Sequence, residues 1–373
     1  MEHKALKYRL YPTTEQRTMF AKTFGCCRKV FNLLLSDKIH SYEETGTFGK
    51  QTPAMYKEEY PYLKEVDSLA LANVQLNLQK AFNNHFVSKH CKFPKYKSKK
   101  SSRRSYTTNN QKGTIEVYDN AIKLPKIGRV KAKIHRSPGA DWKLKAATIS
   151  QDSDGKYYAA VLYEYEVEIT QVAKSTANAI GLDYKSDGLY MDSNGNIGTN
   201  HKYYRKSHKK LAKAQRKLSR RKGSKKDEAK SKNYIKQQRK VSRIHKHIAH
   251  QRTDNLHKIS TEIANRYDVV CVETLNMKAI ANKGFHNGKA TCDNGYGLFL
   301  NMLEYKLKDR GKHFVKVDKF YPSSQICNCC GKKQKLKLTD RVYKCSCGYV
   351  GNRDENAAIN ILREGMRILK ETA

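Results

Sequence analysis

The sequence predicts a multidomain α/β protein, and three observations carry that reading. Between residues 13 and 90 apolar side chains recur at helical spacing, and between 106 and 170 short runs rich in Ile, Val and Tyr are cut by turn signals. Beyond residue 175 two apolar strands each end in an acid, Asp183 and Glu273, ahead of four cysteines in two tight pairs. At 373 residues the chain is long enough for two or three domains and a sizeable core.

The charge narrows the class of partner. Lys and Arg number 74 against 35 Asp and Glu, a formal net charge of +39, so the surface is built to face a polyanion. Nucleic acid fits better than a membrane, because no run of about 18 apolar residues exists to span one. Met1-Glu2-His3-Lys4 lacks the apolar core of a secretory signal. Ten cysteines without such a signal point to metal ligands and free thiols in a reducing cytoplasm. The 24 tyrosines offer many rings able to stack on bases.

In chain order, Lys4 to Tyr11 alternates and reads as a short basic strand. A helix follows, with Thr13 as cap and Gln16 at the capping-box position, and its stripe runs through Met19, Phe20, Thr23, Cys27, Val30, Phe31 and Leu34. Adjacent Cys26 and Cys27 cannot chelate together and are expected to pack. A second helical stripe holds Leu71, Val74, Leu78, Phe82 and Phe86, completing a small helical domain. The β segment is broken at Lys112-Gly113, Asp119-Asn120, Ile127-Gly128, Pro138-Gly139 and Asp154-Gly155 and reads as an antiparallel module, a small barrel that the N-terminal strand could join. Trp142 is expected in its core rather than as a base platform.

Two basic stretches stand out. Lys92 to Tyr106 holds seven bases, no acid and three aromatics, including Lys95, Tyr96, Lys97, Arg103 and Arg104; interleaved rings favour a nucleic-acid contact over a merely solvated face. Lys202 to Lys246 holds twenty bases and only two acids, Asp227 and Glu228. A run so charged could be disordered. Its apolar stripes (Leu211 and Leu218, then Tyr234, Val241, Ile244 and Ile248) instead predict a helical hairpin hinged at Gly223-Ser224, one face on the core and the other on phosphates.

Cys327 and Cys330 are followed, after fourteen intervening residues, by Cys345 and Cys347. Two thiolate pairs on short turns, with Gly331 and Gly348 just after them, are what one tetrahedral zinc requires. Four thiolates leave no open position, so the ion is structural. Cys329 is the odd thiol, a non-ligand unless it exchanges with Cys330. Asp354 then opens a helix with Ala357, Ala358, Ile361, Leu362, Ile368 and Leu369 at helical spacing.

Each acid has an ordinary role, Asp183 and Glu273 as strand ends and Asp354 as a complement to the helix dipole. Ligands in α/β sheets collect at carboxyl strand ends, however. Three converging carboxylates would repel one another unless cations sat between them, and two magnesium ions about 4 Å apart would answer that need.

Gly181-Leu182-Asp183, Asp268 to Asn276, and the cysteine ribbon with Asn352-Arg353-Asp354-Glu355-Asn356 resemble the three RuvC motifs of the TnpB family, transposon-encoded RNA-guided nucleases related to type V CRISPR effectors. Tyr8 to Thr13 with Phe24 to Arg28, Phe93 to Lys97, Ser105 to Asn109, Gln215 to Arg221 and Arg252 to Lys258 resemble its other segments, so the likeness covers nearly the whole chain. Asn352 departs from the family's Asp-Arg-Asp, and Tyr184-Lys185-Ser186-Asp187 stands where relatives often carry a glycine turn. Asp187 and Asp192 are expected to be dispensable acids.

The resemblance implies an RNase H-like RuvC nuclease with an inserted zinc ribbon, plus a β-barrel wedge carrying a helical recognition domain. The implied domains are a wedge strand (1–12), recognition domain with basic segment (13–105), wedge barrel (106–172), nuclease (173–320, with the basic hairpin at 202–265), ribbon (321–350) and C-terminal helix (351–373). It implies Asp183, Glu273 and Asp354 as catalytic magnesium ligands, and one structural zinc on Cys327, Cys330, Cys345 and Cys347. Nucleic-acid contacts fall on Lys95, Tyr96, Lys97, Arg103, Arg104, Arg216, Arg220, Arg221 and Arg252. The implied protein is a monomer bound to a guide RNA made from the transposon end and to target double-stranded DNA, in the cytoplasm of a bacterium or archaeon, at the nucleoid. The alternative is a nuclease-silent RNA-guided repressor, a reading that the presence of all three acids opposes; DNA strand transfer is a third, weaker reading.

Overall fold

In the computed structural model the alternating N-terminal residues form β1 (Glu2–Leu10), which buries Leu6, Tyr8 and Leu10 on one face. The structure describes residues 1–88, 90–100, 103–173, 178–222, 230–282, 288–337 and 340–372. They divide into two units, Met1–Val167 and Glu168–Ala373.

In the first unit β1 joins β2 (Arg104–Asn109), β3 (Glu116–Val117), β4 (Ala121–Leu124), β5 (Gly128–Lys133), β6 (Lys143–Gln151) and β7 (Tyr157–Tyr165) in one antiparallel sheet, order β2-β6-β7-β1-β5-β4-β3. Among the described residues the end strands β2 and β3 do not pair, so the expected barrel appears as a ladder of open order. The helical segment is an insertion between β1 and β2: α1 (Thr14–Thr45), α2 (Tyr56–Glu59) and α3 (Ser68–Val87). Thr13 and Gln16 close the expected capping box at the start of α1. Phe20 and Phe24 pack on Tyr106 of the sheet, and Phe20 on Tyr157, while Asp67 caps α3 and accepts from the Thr108 hydroxyl. Cys26 and Cys27 are buried packing residues. Trp142 is half-buried and stacks on Tyr165 at 4.5 Å.

The second unit is built on β8 (Ala179–Tyr184), β9 (Tyr190–Asp192), β10 (Val269–Glu273) and β11 (His313–Val317), in the order β11-β10-β8-β9. β8, β10 and β11 run parallel and β9 antiparallel, with a single bridge from Met191 to Ile197 beyond it. Both faces of this sheet are covered, which is why its inner strands β8 and β10 are apolar up to Asp183 and Glu273. Ile180, Leu182, Val270 and Val272 meet Ile263 of α5 (Lys232–Arg266) and Phe299 and Leu303 of α8 (Tyr296–Lys308). Val269, Cys271, Val315 and Val317 meet Ile361 and Leu369 of α9 (Arg353–Glu371) on the other face.

α4 (Tyr203–Arg220) and α5 form the basic pair, with Leu211, Val241, Ile244 and Ile248 buried. The expected hinge Gly223-Ser224 and the acids Asp227 and Glu228 lie outside the described residues. Short α6 (Met277–Ile280) and α7 (Gly288–Asn294) link β10 to α8, and the hairpin of β12 (Val342–Lys344) and β13 (Val350–Asn352) precedes α9. Among the described residues no helix is long and apolar enough to cross a membrane.

Candidate metal centres and nucleic-acid surfaces

Strand register brings two of the acids together. β8 and β10 pair in parallel as far as Leu182 with Val272, so Asp183 and Glu273 follow side by side at the carboxyl ends. Side chains alternate faces along a strand, so each acid shares the face of the residue two positions before it. Those residues touch α9. A Cβ on Gly181 would lie 2.2 Å from the Ala358 carbonyl oxygen, and one on Gly365 of α9 would lie 2.3 Å from Cys271 Sγ. The missing side chain of Gly181 therefore lets α9 lie directly on β8, with Asp354 in its first turn beside the strand ends. Asn352 is the N-cap of this helix, its Oδ1 accepting from the backbone N–H of Asp354 at 2.9 Å and of Glu355 at 3.4 Å.

The site is electrostatically loaded. Burial pushes Asp183 well above the usual carboxylate range, and the charges of Glu273 and Asp354 push it further. Burial alone raises Glu273 to about 7. Lys185 Nζ lies 2.5 Å from Asp354 Oδ2, and among the described residues no other ion pair reaches the three acids. Tyr296, fully buried against Tyr184 with ring centroids 5.0 Å apart, leaves its hydroxyl without a protein partner while Asp183 and Glu273 act on it. Carboxylate oxygens are the ligands a hard, hydrated cation takes, and Glu273 and Asp354 lie close enough to act on Asp183, so the three acids are of the kind a divalent ion uses, although among the described residues only the four cysteines bring their ligand atoms within 4.8 Å of one another.

The four cysteines converge as well. Sγ of Cys327, Cys330, Cys345 and Cys347 all lie within 4.8 Å of one another, with Cys327–Cys347 at 3.7 Å and Cys330–Cys345 at 3.6 Å. A tetrahedron with metal–sulfur bonds of ~2.3 Å has edges of about 3.8 Å, so the set fits one ion. Cys329 is exposed and outside it. Two buried asparagines of α9 fasten the first turn: Asn356 accepts from Asn328 N–H at 2.9 Å and donates to Ile326 O at 2.7 Å, and Asn360 donates to Ser323 O at 2.8 Å and Ile326 O at 2.7 Å. Arg363 donates to Asn328 O. The cysteine turn and Asp354 thus share one helix.

Lys95, Tyr96, Lys97, Arg103, Arg104, Arg216 and Arg220 are exposed, and Arg221 and Arg252 are half-buried. Lys97 holds its ammonium 3.7 Å from the centre of the Phe31 ring, and Arg104 donates to Gln151 Oε1 at 2.8 Å. Arg221 donates to Asn233 O at 3.2 Å. Half-buried Arg252 turns inward and donates to Cys292 O at 2.7 Å. Lys97, Arg103 and Arg104 also line, with Arg28, Asn73 and Asn77, a cavity of about 150 Å³ in the first unit.

Asp192, an acid expected to be dispensable for cutting, has a structural place in the second unit. It is buried, and its Oδ1 accepts from Asn194 N–H at 2.9 Å and Asn196 N–H at 2.8 Å, shaping the turn after β9. The roles of Lys185, Tyr296, Asn356 and Asn360 had no sequence signal, since each depends on a partner distant in the chain.

Similarity to known proteins agrees with this arrangement. The description "Probable transposase" matches residues 160–283, which contain both strand-end acids, and "Cas12f1-like, TNB domain" matches 296–361, which contain the four cysteines and Asp354. "Helix-turn-helix domain" matches residues 1–47, which here hold β1 and the single long helix α1. The fold resembles that in "Cryo-EM structure of the Cas12f1-sgRNA-target DNA complex", with a TM-score of 0.51 at 14% identity over 96% of this chain and 98% of that one. A "Putative RNA-guided DNA endonuclease" of Streptomyces pristinaespiralis is 34% identical over 97% of this chain and 89% of its own length. "Putative RNA-guided DNA endonuclease InsQ" of Escherichia coli (strain K12) is 29% identical over 98% and 93%. "TnpB-like protein L79" of Acanthamoeba polyphaga mimivirus is 31% identical over 37% of this chain and 27% of its own. The chain belongs to the TnpB family.

Proposed function

We propose that this protein is an RNA-guided DNA endonuclease of an insertion sequence, cutting double-stranded DNA beside a short flanking motif. The carrying observation is the approach of Asp183, Glu273 and Asp354 from two strand ends and one helix start, with Lys185 alone among the described residues ion-paired to them. We read the second unit as an RNase H-like RuvC domain; its parallel β8, β10 and β11 with antiparallel β9 support this. We read the first unit as wedge sheet plus inserted recognition helices.

Asp183, Glu273 and Asp354 would hold two magnesium ions, which when bound activate water and stabilise the leaving 3′ oxygen of a phosphodiester. The chain's own contribution is placement. The β8–β10 register fixes two carboxylates, the α9 cap fixes the third, and Tyr296 closes the wall behind them. No side chain need act as nucleophile. Cys327, Cys330, Cys345 and Cys347 would hold a structural zinc. Guide RNA and DNA phosphates would lie on the exposed bases of α4 and of the segment around Lys95 to Arg104, with base pairing reading the target and the protein reading only the flanking motif. The names of the full-length relatives support the guide and the substrate.

The test is cleavage of a guide-matched duplex by the ribonucleoprotein. Asp183→Asn, Glu273→Gln and Asp354→Asn should each lose most cutting and keep RNA and DNA binding, while Glu304→Gln, an exposed acid paired only with Lys316, should cut normally. If all three acid variants cut at the wild-type rate, the nuclease reading is wrong. Binding without cutting in the wild type would favour the repressor.

A further inference from the structure

We propose that Lys185 is the resident counter-cation of the acidic centre: its ammonium holds the Asp354 carboxylate in the metal-free protein and leaves it when a divalent cation binds. The inference rests on the reading of Asp183, Glu273 and Asp354 as a divalent-cation site.

Lys185 follows β8 directly, two residues after Asp183. Its Nζ sits 2.5 Å from Asp354 Oδ2 and 3.8 Å from Asp187 Oδ1, and the Lys185 and Asp354 side chains are only 15% and 19% exposed. The backbone that carries it is pinned. Buried Asn294 donates Nδ2 to Lys185 O at 3.0 Å and to Gly188 O at 2.5 Å, and Lys185 N–H donates to Leu189 O at 3.4 Å. The loop therefore stays in place, and only the flexible four-carbon stem is free to withdraw the charge.

Two consequences follow from Coulomb's law. Without a divalent ion, a positive charge eases the repulsion among three neighbouring carboxyls, and Lys185 supplies it at Asp354. A divalent ion approaching Asp354 meets an ammonium of its own sign in contact with the same carboxylate, so the pair must open first. If it is closed about nine-tenths of the time, apparent divalent affinity is about tenfold weaker than the open site's. Lys185 is then a positioning residue that sets how much metal the nuclease needs.

The experiment is calorimetric titration of Mn²⁺ into the full zinc-loaded chain, with thermal melting beside it. Lys185→Met should bind Mn²⁺ about tenfold more tightly than wild type and melt lower without divalent ion. Lys185→Arg, which keeps the charge, should bind close to wild type. Asp354→Asn should bind weakly whichever residue stands at 185. Equal or weaker binding by Lys185→Met overturns the proposal. If Lys185→Met does not fold, Lys185→Gln carries the same expectation and the same overturning result. Wild-type binding that Asp354→Asn leaves unchanged overturns instead the divalent-site reading beneath it.

Discussion

The second unit contains two clusters built for cations, and they are assembled in opposite ways. The cysteine cluster takes its four ligands from two short turns within twenty-one residues, Cys327 to Cys347. The acidic centre takes three ligands spread from Asp183 to Asp354, joined by one strand register and one helix packed on a glycine. The first cysteine turn is tied to the rest of the unit through Asn356 and Asn360 of α9, whereas the acids sit at the carboxyl ends of the inner strands of a sheet covered on both faces. On the reading proposed above, the difference teaches where each cation would act: at the cysteines it would make the fold, and at the acids it would make the reaction.

The largest effect should come from the cysteines. Cys330→Ser with Cys345→Ser should lose the zinc, one per chain by metal analysis, and with it local folding energy that reaches ~10–16 kcal/mol in isolated modules. Because Asn356 and Asn360 tie the first turn to α9, the loss should spread to Asp354 and reduce cutting. A double variant that keeps full zinc would break the comparison.

Next comes the packing that assembles the acids. Gly181→Ala would place a methyl against the backbone of α9, which cannot yield as a flexible side chain does. The expected cost is about 1–3 kcal/mol or more, with cutting lost through displacement of Asp354. Denaturant unfolding and the cleavage assay measure the two parts. Wild-type stability would mean that α9 does not rest on β8.

These clusters were unequally legible in the sequence. The cysteines could be read from spacing because their geometry is local. The acids could be read individually as strand ends and a helix start, but their meeting depends on register and on the close approach at Gly181, so only resemblance to the TnpB motifs joined them. Asn352 looked like a departure from the motif and is the N-cap of α9. The turn that Asp192 shapes was not legible, because a buried turn acceptor and a surface acid have the same letter. Arg252 looked like a phosphate ligand, yet its partner is a carbonyl forty residues away. The helices and strands themselves followed from periodicity, and the order of the seven-stranded ladder did not.

The smallest effect concerns a third charge, the mirror image of the acids. Buried Lys306 has no acid partner among the described residues and donates to His257 O, Ser260 Oγ and Thr261 Oγ1, each at 2.7 Å. Burial lowers its pKa from 10.5 to about 8. Below pH 8 both folded and unfolded chains carry the proton, and the cost of burying the charge is fully present. Between about 8 and 10.5 the folded chain binds fewer protons, so this group makes stability rise with pH. Melting of wild type relative to Lys306→Met should therefore improve by a few degrees across that window. A flat difference would show that the three acceptors keep the ammonium fully charged.

The central claim is that the acids serve the reaction and not the fold, and Asp183→Asn tests it most directly, with cleavage of a guide-matched duplex and metal-free melting measured on one preparation. Burial first, and then the charges of Glu273 and Asp354, disfavour an ionised Asp183, so replacing it should leave melting unchanged or raise it. Cutting should fall about a thousandfold or more, the loss of several kcal/mol of transition-state stabilisation. Wild-type cutting, or a fall in cutting matched by collapse of melting, would contradict the account.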